Sequence, residues 1–295
     1  MRVRLLGTAA GGGFPQWNCA CPRCAACRAG TPEVPPRSQD CVAISPNGTD
    51  WYLLNASPDI RAQVLVAPGL TPGPGPRDTP LRGALLTDAE LDHAMGLLML
   101  REGPGLRVWA PPAVRHALDE HFPVRGVVAG YGGWDWLPVA DEIAGLRVRA
   151  FAVGDKRPKY ARSSEVDGPW VVAYRIEDPA SGGSLVYAPC LASWPDGFDE
   201  FVAGAGAVLL DGTFYSAAEL AGTGTTAAAQ RAMGHVPIGG QDGSLARISA
   251  HGGSTRWLYT HLNNTNPVLD TRSSEYAELR AAGVEIPPDG TELAL

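Results

Sequence analysis

The chain has 295 residues, enough for one large core or two small ones, and 45% of them are apolar. The formal net charge is -7 and there is no basic cluster, so nucleic acid is excluded as an expected partner. No apolar run approaches the roughly 20 residues of a membrane-spanning helix, and the apolar part of the N-terminus is too short for a secretory signal. We therefore expect a cytoplasmic protein with no membrane partner.

The predicted elements of the first quarter are mostly strands. Residues 3–7 form a strand that ends in a glycine-rich turn at residues 8–13. Residues 42–45 and 51–55 are typical of a hairpin, and Ser57 is placed to cap the helix that follows.

Four of the six cysteines lie close together between these strands, at Cys19, Cys21, Cys24 and Cys27. In a cytoplasmic chain this clustering favours metal binding over disulfides. Three thiolates within a few residues can reach one tetrahedral Zn²⁺ ion, which prefers soft donors. The sequence therefore predicts a structural zinc loop at residues 19–27, with its fourth ligand either Cys27 or a histidine from elsewhere.

The most informative stretch follows an apolar run at residues 83–86, which reads as a buried strand. Thr87 and Glu90 then have the spacing of a capping box at the start of a helix. Four ionisable residues crowd the first turn of that helix: Asp88, Glu90, Asp92 and His93. A metal site and a solvated, acidic helix start both explain such a cluster.

Strands and helices alternate in the rest of the chain. Strands are predicted at residues 106–110, 148–153, 171–176, 185–188, 207–210 and 256–260, and helices at residues 111–122, 241–250 and 273–282. His116 and His121 are interpreted as surface residues. Asp211 and His261 each follow a predicted strand directly, where sites in layered α/β proteins are usually built. The pattern predicts two packed sheets with helices outside them.

Several segments together resemble a known family. Residues 85–97 are similar to the His-x-His-x-Asp-His metal-binding loop of the metallo-β-lactamase superfamily, with acids at the first two histidine positions. The segments that resemble the pyrroloquinoline quinone (PQQ) biosynthesis protein B family are residues 7–19, 55–61, 233–235 and 261–267. The resemblance implies an α+β fold, a four-layer αββα sandwich that forms a single domain over residues 1–295. It places the active site at the open edge between the sheets.

The resemblance also bears on the cysteine loop. Related cyclic phosphodiesterases hold a structural zinc with three cysteines and a downstream histidine. Carried over to this chain, that set is Cys19, Cys21, Cys24 and His235, with Cys27 as second choice for the fourth ligand. His235 is then structural and not catalytic.

Hydrolytic relatives hold two zinc ions with five histidines and two aspartates, and this chain departs from that set. Asp88 and Glu90 stand at two histidine positions, and residues 154–156 lack a third histidine. Cys190 lies near the position of the bridging aspartate. These departures argue against a standard two-metal hydrolase.

The surviving residues are Asp92, His93 and His261, which form the two-histidine, one-carboxylate set that holds Fe²⁺ with open positions. We therefore predict a non-haem iron oxygenase that uses O₂ to hydroxylate the tyrosine ring of a peptide-derived PQQ precursor. Asp88 is predicted to act as a further ligand or as a base behind the ligands, and Glu90 as a helix cap. Zinc and copper are alternatives to iron, because the Cys190 thiolate can add a ligand.

Six residues are predicted to orient ligands or bind the carboxylates of the substrate: Asp211, Asn263, Asn264, Lys156, Arg157 and Lys159. A solvated loop is the alternative interpretation of the cationic residues among them. Two other functions stay open, a carrier that moves PQQ or a precursor to the periplasm and a residual metal-dependent hydrolase. The expected partners are a small peptide-derived substrate and other PQQ-pathway proteins, with a homodimer as a further option.

Overall fold

Two mixed β-sheets form the middle of the molecule, and the computed structural model describes residues 1–295. The first sheet contains β1 (Arg2–Gly7), β2 (Cys41–Ser45), β3 (Trp51–Leu54), β4 (Leu81–Leu85), β5 (Arg107–Trp109), β6 (Asp135–Leu137) and β13 (Glu292–Ala294). The second contains β7 (Glu142–Ile143), β8 (Leu146–Gly154), β9 (Val171–Glu177), β10 (Ser184–Ala188), β11 (Ala207–Asp211) and β12 (Arg256–Thr260). The strand orders are β13-β1-β2-β3-β4-β5-β6 and β12-β11-β10-β9-β8-β7.

Short helices cover the outer faces of the two sheets. They are α1 (Pro22–Arg28), α2 (Ile60–Val66), α3 (Leu91–Ala94), α4 (Gly96–Met99), α5 (Pro112–His116), α6 (Val124–Ala129), α7 (Phe198–Val202), α8 (Ala227–Arg231), α9 (Ser244–Ala250) and α10 (Ser274–Ala281). The longest, α10, has eight residues. None of the helices has the length and apolar character needed to cross a lipid bilayer.

The layer order follows from the alternation of apolar side chains along the strands. In β3, Tyr52 and Leu54 point into the core between the two sheets, whereas Trp51 and Leu53 point into the core under the helices of the first sheet. Strand β11 alternates in the same way between the central core and the core under the helices of the second sheet. Both faces of the inner strands are therefore apolar, which makes their sequences continuous hydrophobic runs. This confirms the predicted αββα sandwich.

The carboxyl ends of the parallel strands meet at one edge of this sandwich. Strands β10, β11 and β12 are parallel neighbours, as are β3, β4 and β5. Leu86 and Thr87 follow β4 and are tied to β9 of the other sheet, because Tyr174 Oη donates to the Leu86 carbonyl at 2.7 Å and Val172 N to the Thr87 carbonyl at 2.9 Å. The two sheets are thus held together where their strands end.

The predicted helix start at Thr87 is wrong, because helix α3 begins four residues later at Leu91. Glu90 occupies the N-cap position but its side chain makes no capping hydrogen bond. The Thr87 hydroxyl instead donates to Asp88 Oδ2 at 2.8 Å, and Asp88 Oδ1 accepts the Glu90 backbone N–H at 2.9 Å. A loop at residues 86–90, rather than a helical turn, therefore carries Asp88.

Gly96 provides a test of how α4 docks beside this loop. A Cβ at this position would lie 2.2 Å from the Ser57 carbonyl oxygen. We expect Gly96→Ala to lower the free energy of unfolding by about 1–3 kcal/mol, because the backbone must shift. The matched control is Gly126→Ala on the exposed face of α6, where no atom lies within 4 Å and the helix gains up to about 1 kcal/mol. Equal denaturation midpoints for the two variants would contradict this packing.

Candidate functional site

His93 lies in α3 with its imidazole 1% exposed, and Asp88 fixes its orientation. Nδ1 of His93 lies 2.9 Å from Asp88 Oδ1 and 2.8 Å from Oδ2. Because a carboxylate only accepts, Nδ1 carries a proton, and Nε2 is the nitrogen left to bind an ion. His93 Nε2 is buried and has no hydrogen-bond partner. Such an atom is costly to bury unless something binds it.

His261 follows β12 of the opposite sheet and is held in a similar way. Thr213 Oγ1 donates to Asp211 Oδ1 at 2.7 Å and therefore accepts from His261 Nδ1, also at 2.7 Å. His261 Nε2 faces Asp92 Oδ2 at 3.2 Å and is the nitrogen left to bind an ion. The backbone of His261 has φ +56°, in the left-handed region that costs a non-glycine residue of order 1–3 kcal/mol. This conformation turns the imidazole towards the ring of His93, whose centroid is 5.1 Å away.

Asp92 brings the two imidazoles to a common point. Its Oδ2 lies 3.2 Å from His261 Nε2 and 3.9 Å from His93 Nε2. One carboxylate oxygen and two imidazole nitrogens thus face one another across the meeting edge of the sheets. This donor set and the unpartnered His93 Nε2 fit a divalent ion such as Fe²⁺ or Zn²⁺.

The electrostatics of the cluster favour a positive charge at this point. Burial alone would lower the pKa of His93, but the Asp88 and Asp92 carboxylates outweigh it and raise that pKa to about 10. Burial likewise opposes ionisation of Asp92, but His93 and His261 lower its pKa well below the usual range. In the cation-free chain a proton on His93 balances these carboxylates, and a bound metal ion can take its place.

Asp88 therefore acts behind the metal position and does not face it, which corrects its prediction as a direct metal ligand. Both of its oxygens contact His93 Nδ1, and further donors from Thr87 and Glu90 occupy them. Burial opposes its ionisation, but the adjacent His93 lowers the pKa of Asp88. The alternative prediction, that Asp88 is a base behind the ligands, fits this geometry.

A second buried polar network joins the sheets beneath the site. The Asp40 carboxylate, 1% exposed, accepts hydrogen bonds from the hydroxyls of Tyr187 and Thr260. Asn55 Nδ2 donates to the Tyr187 hydroxyl at 3.2 Å and to Thr87 Oγ1 at 2.9 Å, which connects this network to Asp88. Asp40 and Tyr187 could not be predicted as part of the site, since nothing local in the sequence distinguishes them from ordinary strand residues.

The structure does not bring His235 to the cysteine loop, which corrects its prediction as the fourth zinc ligand. Its Nδ1 lies 2.8 Å from Asp211 Oδ2 and 3.1 Å from Thr213 Oγ1, and its ring stacks on that of His261 at 5.3 Å. Asp211 is fully buried and does not line the cavity, which corrects its prediction as a substrate-binding residue. The alternative prediction, that Asp211 orients ligands, fits the geometry, because Asp211 accepts from Thr213 Oγ1, which contacts His261, and also contacts His235.

The cysteine loop lies elsewhere, against the residues that follow His261. The Sγ atoms of Cys19, Cys21 and Cys24 lie within 4.8 Å of one another. Cys27 is not part of this group and its thiol is buried in the core under the second sheet. The side chain that lies against the thiols is Asn264, whose amide is 3.5 Å from Cys24 Sγ.

The position of Asn264 corrects its prediction as a substrate-binding residue. Its amide nitrogen is also 4.0 Å from Cys21 Sγ, and the residue does not line the cavity. The amide oxygen and nitrogen of an asparagine exchange places by a simple flip, so Oδ1 can face an ion held by the three thiols. Asn264 thus stands where the sequence analysis expected a histidine.

A cavity of about 850 Å³ opens beside the metal position. Asp92, His93, His261 and Asn263 are among the residues that line it. The same cavity is lined by cationic and aromatic side chains from the loop after β8: Lys156, Arg157, Lys159, Tyr160 and Arg162.

The cationic residues around this cavity are not equivalent. Lys156 Nζ pairs with Glu90 at 2.8 Å, so its charge is already matched. The guanidinium of Arg157 lies 5.4 Å from the ring centroid of Trp170, and its buried Nε has no hydrogen-bond partner. Lys159 and Arg162 are exposed. The unmatched positive charge therefore comes from Arg157, Lys159 and Arg162.

Comparison with known proteins gives the family. Residues 50–262 match the model of the beta-lactamase superfamily domain. The chain is 38% identical to coenzyme PQQ synthesis protein B of Azotobacter vinelandii and 40% identical to that of Azoarcus sp., and each alignment covers 100% of both proteins.

Solved structures agree with this assignment. The crystal structure of Zn²⁺-bound PqqB from Methylobacterium extorquens superimposes with a TM-score of 0.90 and 35% identity over 100% of both chains. A diphosphatase of the PhnP family has a TM-score of 0.68 at 18% identity, over 99% of this chain and 97% of its own, and shares the fold alone. The chain belongs to the coenzyme PQQ synthesis protein B family of the beta-lactamase superfamily.

Proposed function

We propose that this chain is an iron- and O₂-dependent hydroxylase that acts on the tyrosine ring of a peptide-derived PQQ precursor. Its family membership gives it a role in PQQ biosynthesis. The observation that carries the finer proposal is the convergence of His93 Nε2 and His261 Nε2 on Asp92 Oδ2. Two imidazoles and one carboxylate are the protein ligands of many non-haem iron oxygenases.

Fe²⁺ held by Asp92, His93 and His261 would supply the activation of O₂. The overall reaction replaces one ring C–H bond by C–OH with one oxygen atom of O₂. The other oxygen atom leaves as water, with two electrons and two protons, and the electrons come from an external reductant of the ascorbate class. The residues of the chain fix the ion and the substrate and supply protons.

Asp88 and Thr213 help to fix the ion, because each accepts the Nδ1 proton of one metal-binding histidine. Outer hydrogen-bond partners of this kind fix the tautomer and orientation of a ligand and raise its basicity. His235 is the residue that suits proton transfer. It lines the cavity, and Asp211 holds its Nδ1 at 2.8 Å, so that Nε2 is free to exchange a proton.

The cavity supports a small anionic substrate. A volume of about 850 Å³ accommodates a dipeptide-sized molecule, and the unmatched charges of Arg157, Lys159 and Arg162 suit its carboxylates. Tyr160 and Asn263 line the same cavity. We infer that the carboxylates bind at the cationic loop, which points the tyrosine ring towards Asp92 and His93.

The cysteine loop supports a structural zinc site. Three thiols and the Asn264 amide can enclose a tetrahedral ion with no open position. The crystal structure of the relative from Methylobacterium extorquens contains Zn²⁺. We propose Cys19, Cys21, Cys24 and Asn264 as the ligands.

The first prediction tests the reaction and the ion together. Protein supplied with Fe²⁺, ascorbate and a glutamyl-tyrosine peptide is expected to consume O₂ and form a catechol. His93→Ala is expected to lose one metal ion per chain. Its activity is expected to fall by at least about 10–100-fold, because removal of a ligand should cost no less than removal of an outer partner of a ligand. The matched control is His116→Ala, which removes a histidine remote from the cavity.

The outcomes of this experiment separate the alternatives. A carrier of PQQ needs no open metal site, so His93→Ala would still support PQQ production in cells. A residual two-metal hydrolase would bind three zinc ions per chain, whereas the present proposal requires one zinc and one iron. No O₂ uptake and no catechol from the iron-loaded protein would contradict the hydroxylase proposal.

The second prediction concerns the structural zinc. Asn264→Ala is expected to weaken zinc retention in the cysteine loop, because it removes the fourth donor. Asn263→Ala is the control, since Asn263 lines the cavity and makes a hydrogen bond to Thr265. Zinc per chain is measured after dialysis against increasing chelator concentrations. Identical retention by the two variants would show that Asn264 is not a ligand.

The third prediction concerns the cationic loop. Arg157→Gln is expected to raise the KM for the peptide about 10-fold or more with little change in kcat, because a charge-assisted hydrogen bond contributes roughly 1.5–3 kcal/mol. Arg125→Gln is the control, since Arg125 is an exposed residue of α6 that pairs with Asp119. A fall in kcat without a change in KM would place Arg157 outside the binding step.

A further inference from the structure

Cys190 lies directly beside the metal position, two residues after β10. Its Sγ and one nitrogen each from His93 and His261 all lie within 4.8 Å of one another. Cys190 is 8% exposed, and it lines the same cavity as the two histidines. The thiol therefore lies at the border between the apolar core under the second sheet and the cavity, beside the histidine nitrogens.

The surroundings of Cys190 differ from those of an ordinary buried thiol. Cys41 illustrates the ordinary case, since its Sγ donates to the Asn55 carbonyl at 3.3 Å and is remote from every candidate ligand. Cys190 instead lies beside the histidine nitrogens that face Asp92.

His93 provides the second observation that points to a ligand. Its imidazole is 1% exposed, and Nε2 has no hydrogen-bond partner although it faces Asp92 and Cys190. The 3.9 Å between His93 Nε2 and Asp92 Oδ2 is too long for a hydrogen bond. The geometry therefore leaves room between these atoms for an ion that all of them contact.

We propose that Cys190 Sγ is a fourth protein donor to the active-site ion, together with Asp92, His93 and His261. This inference rests on the metal site of the proposed function. It narrows the class of ion that the site takes, because a thiolate favours Zn²⁺, Co²⁺, Fe²⁺ or copper over Mg²⁺, Ca²⁺ and Mn²⁺.

The test is a titration of the full-length protein with Co²⁺, after one equivalent of Zn²⁺ has been added for the cysteine loop. A thiolate ligand gives Co²⁺ an intense near-ultraviolet charge-transfer band, whereas carboxylate and imidazole ligands give visible bands alone. The variant is Cys190→Asp, which retains a donor but removes sulfur. The control is Cys41→Ser, which changes a buried cysteine outside the site.

We expect the wild-type protein and Cys41→Ser to gain the charge-transfer band with the added Co²⁺. In Cys190→Asp that band should fall at least about 10-fold while the visible bands persist. Cys190→Ser should bind Co²⁺ at least about 10-fold more weakly than the wild type, the size of effect seen when a metal ligand loses support. Melting temperatures of the Zn²⁺-loaded proteins show whether each variant is folded.

Two results would overturn the proposal. If Co²⁺ gives visible bands of equal intensity in wild type and Cys190→Asp, without a charge-transfer difference, Cys190 is not a ligand although the metal site of the proposed function stands. If neither protein takes up Co²⁺ beyond the cysteine loop, both the Cys190 proposal and the proposed metal site fail.

Discussion

The hydrogen bonds at Nδ1 of His93 and His261 are the interactions on which the site depends. Each fixes the orientation of its imidazole, through Asp88 in one case and Thr213 in the other, and thereby turns Nε2 towards Asp92. Without them either ring would be free to turn its Nε2 away from the metal position. The catalytic proposal therefore requires the buried partners as much as the donors themselves, since outer partners orient metal ligands and tune their basicity.

These buried partners lie at one edge because of the sheet topology. Parallel strands end on the same side, so the residues after β4, β10, β11 and β12 converge although they are far apart in sequence. The network of Asp40, Tyr187 and Asn55 then joins the two sheets beneath them. Asp40 is 1% exposed, and its burial raises the pKa of its carboxyl. Such a network is stable only when its members are satisfied, which ties the geometry of the site to the packing of the sandwich.

Much of this fold could be predicted from sequence, because apolar runs and strand-end polar residues are local signals. The pattern of strands and helices indicated the layers, and the resemblance supplied their order. The placement of His235 and Asn264 could not be predicted in this way. The two residues are separated from the cysteines by about two hundred residues of chain, and only the packed structure shows which of them lies against the thiols. The prediction that Asp88 lies in the first turn of a helix was wrong for a different reason. The Thr87–Glu90 spacing matches a capping box, but the Thr87 side chain makes its hydrogen bonds within the buried network, and the helix begins only at Leu91.

The origin of the two imidazoles in opposite sheets has a mechanical consequence. His93 follows β4 of one sheet and His261 follows β12 of the other, with ring centroids 5.1 Å apart. An ion that bonds to both rings cross-links the two sheets at the open edge of the sandwich. Its binding free energy therefore adds to the stability of the folded protein. Loss of the ion would increase the mobility of both strand ends together. Hydrogen exchange of the backbone amides at both ends would then become faster, whereas amides on the far side of the sandwich would stay protected.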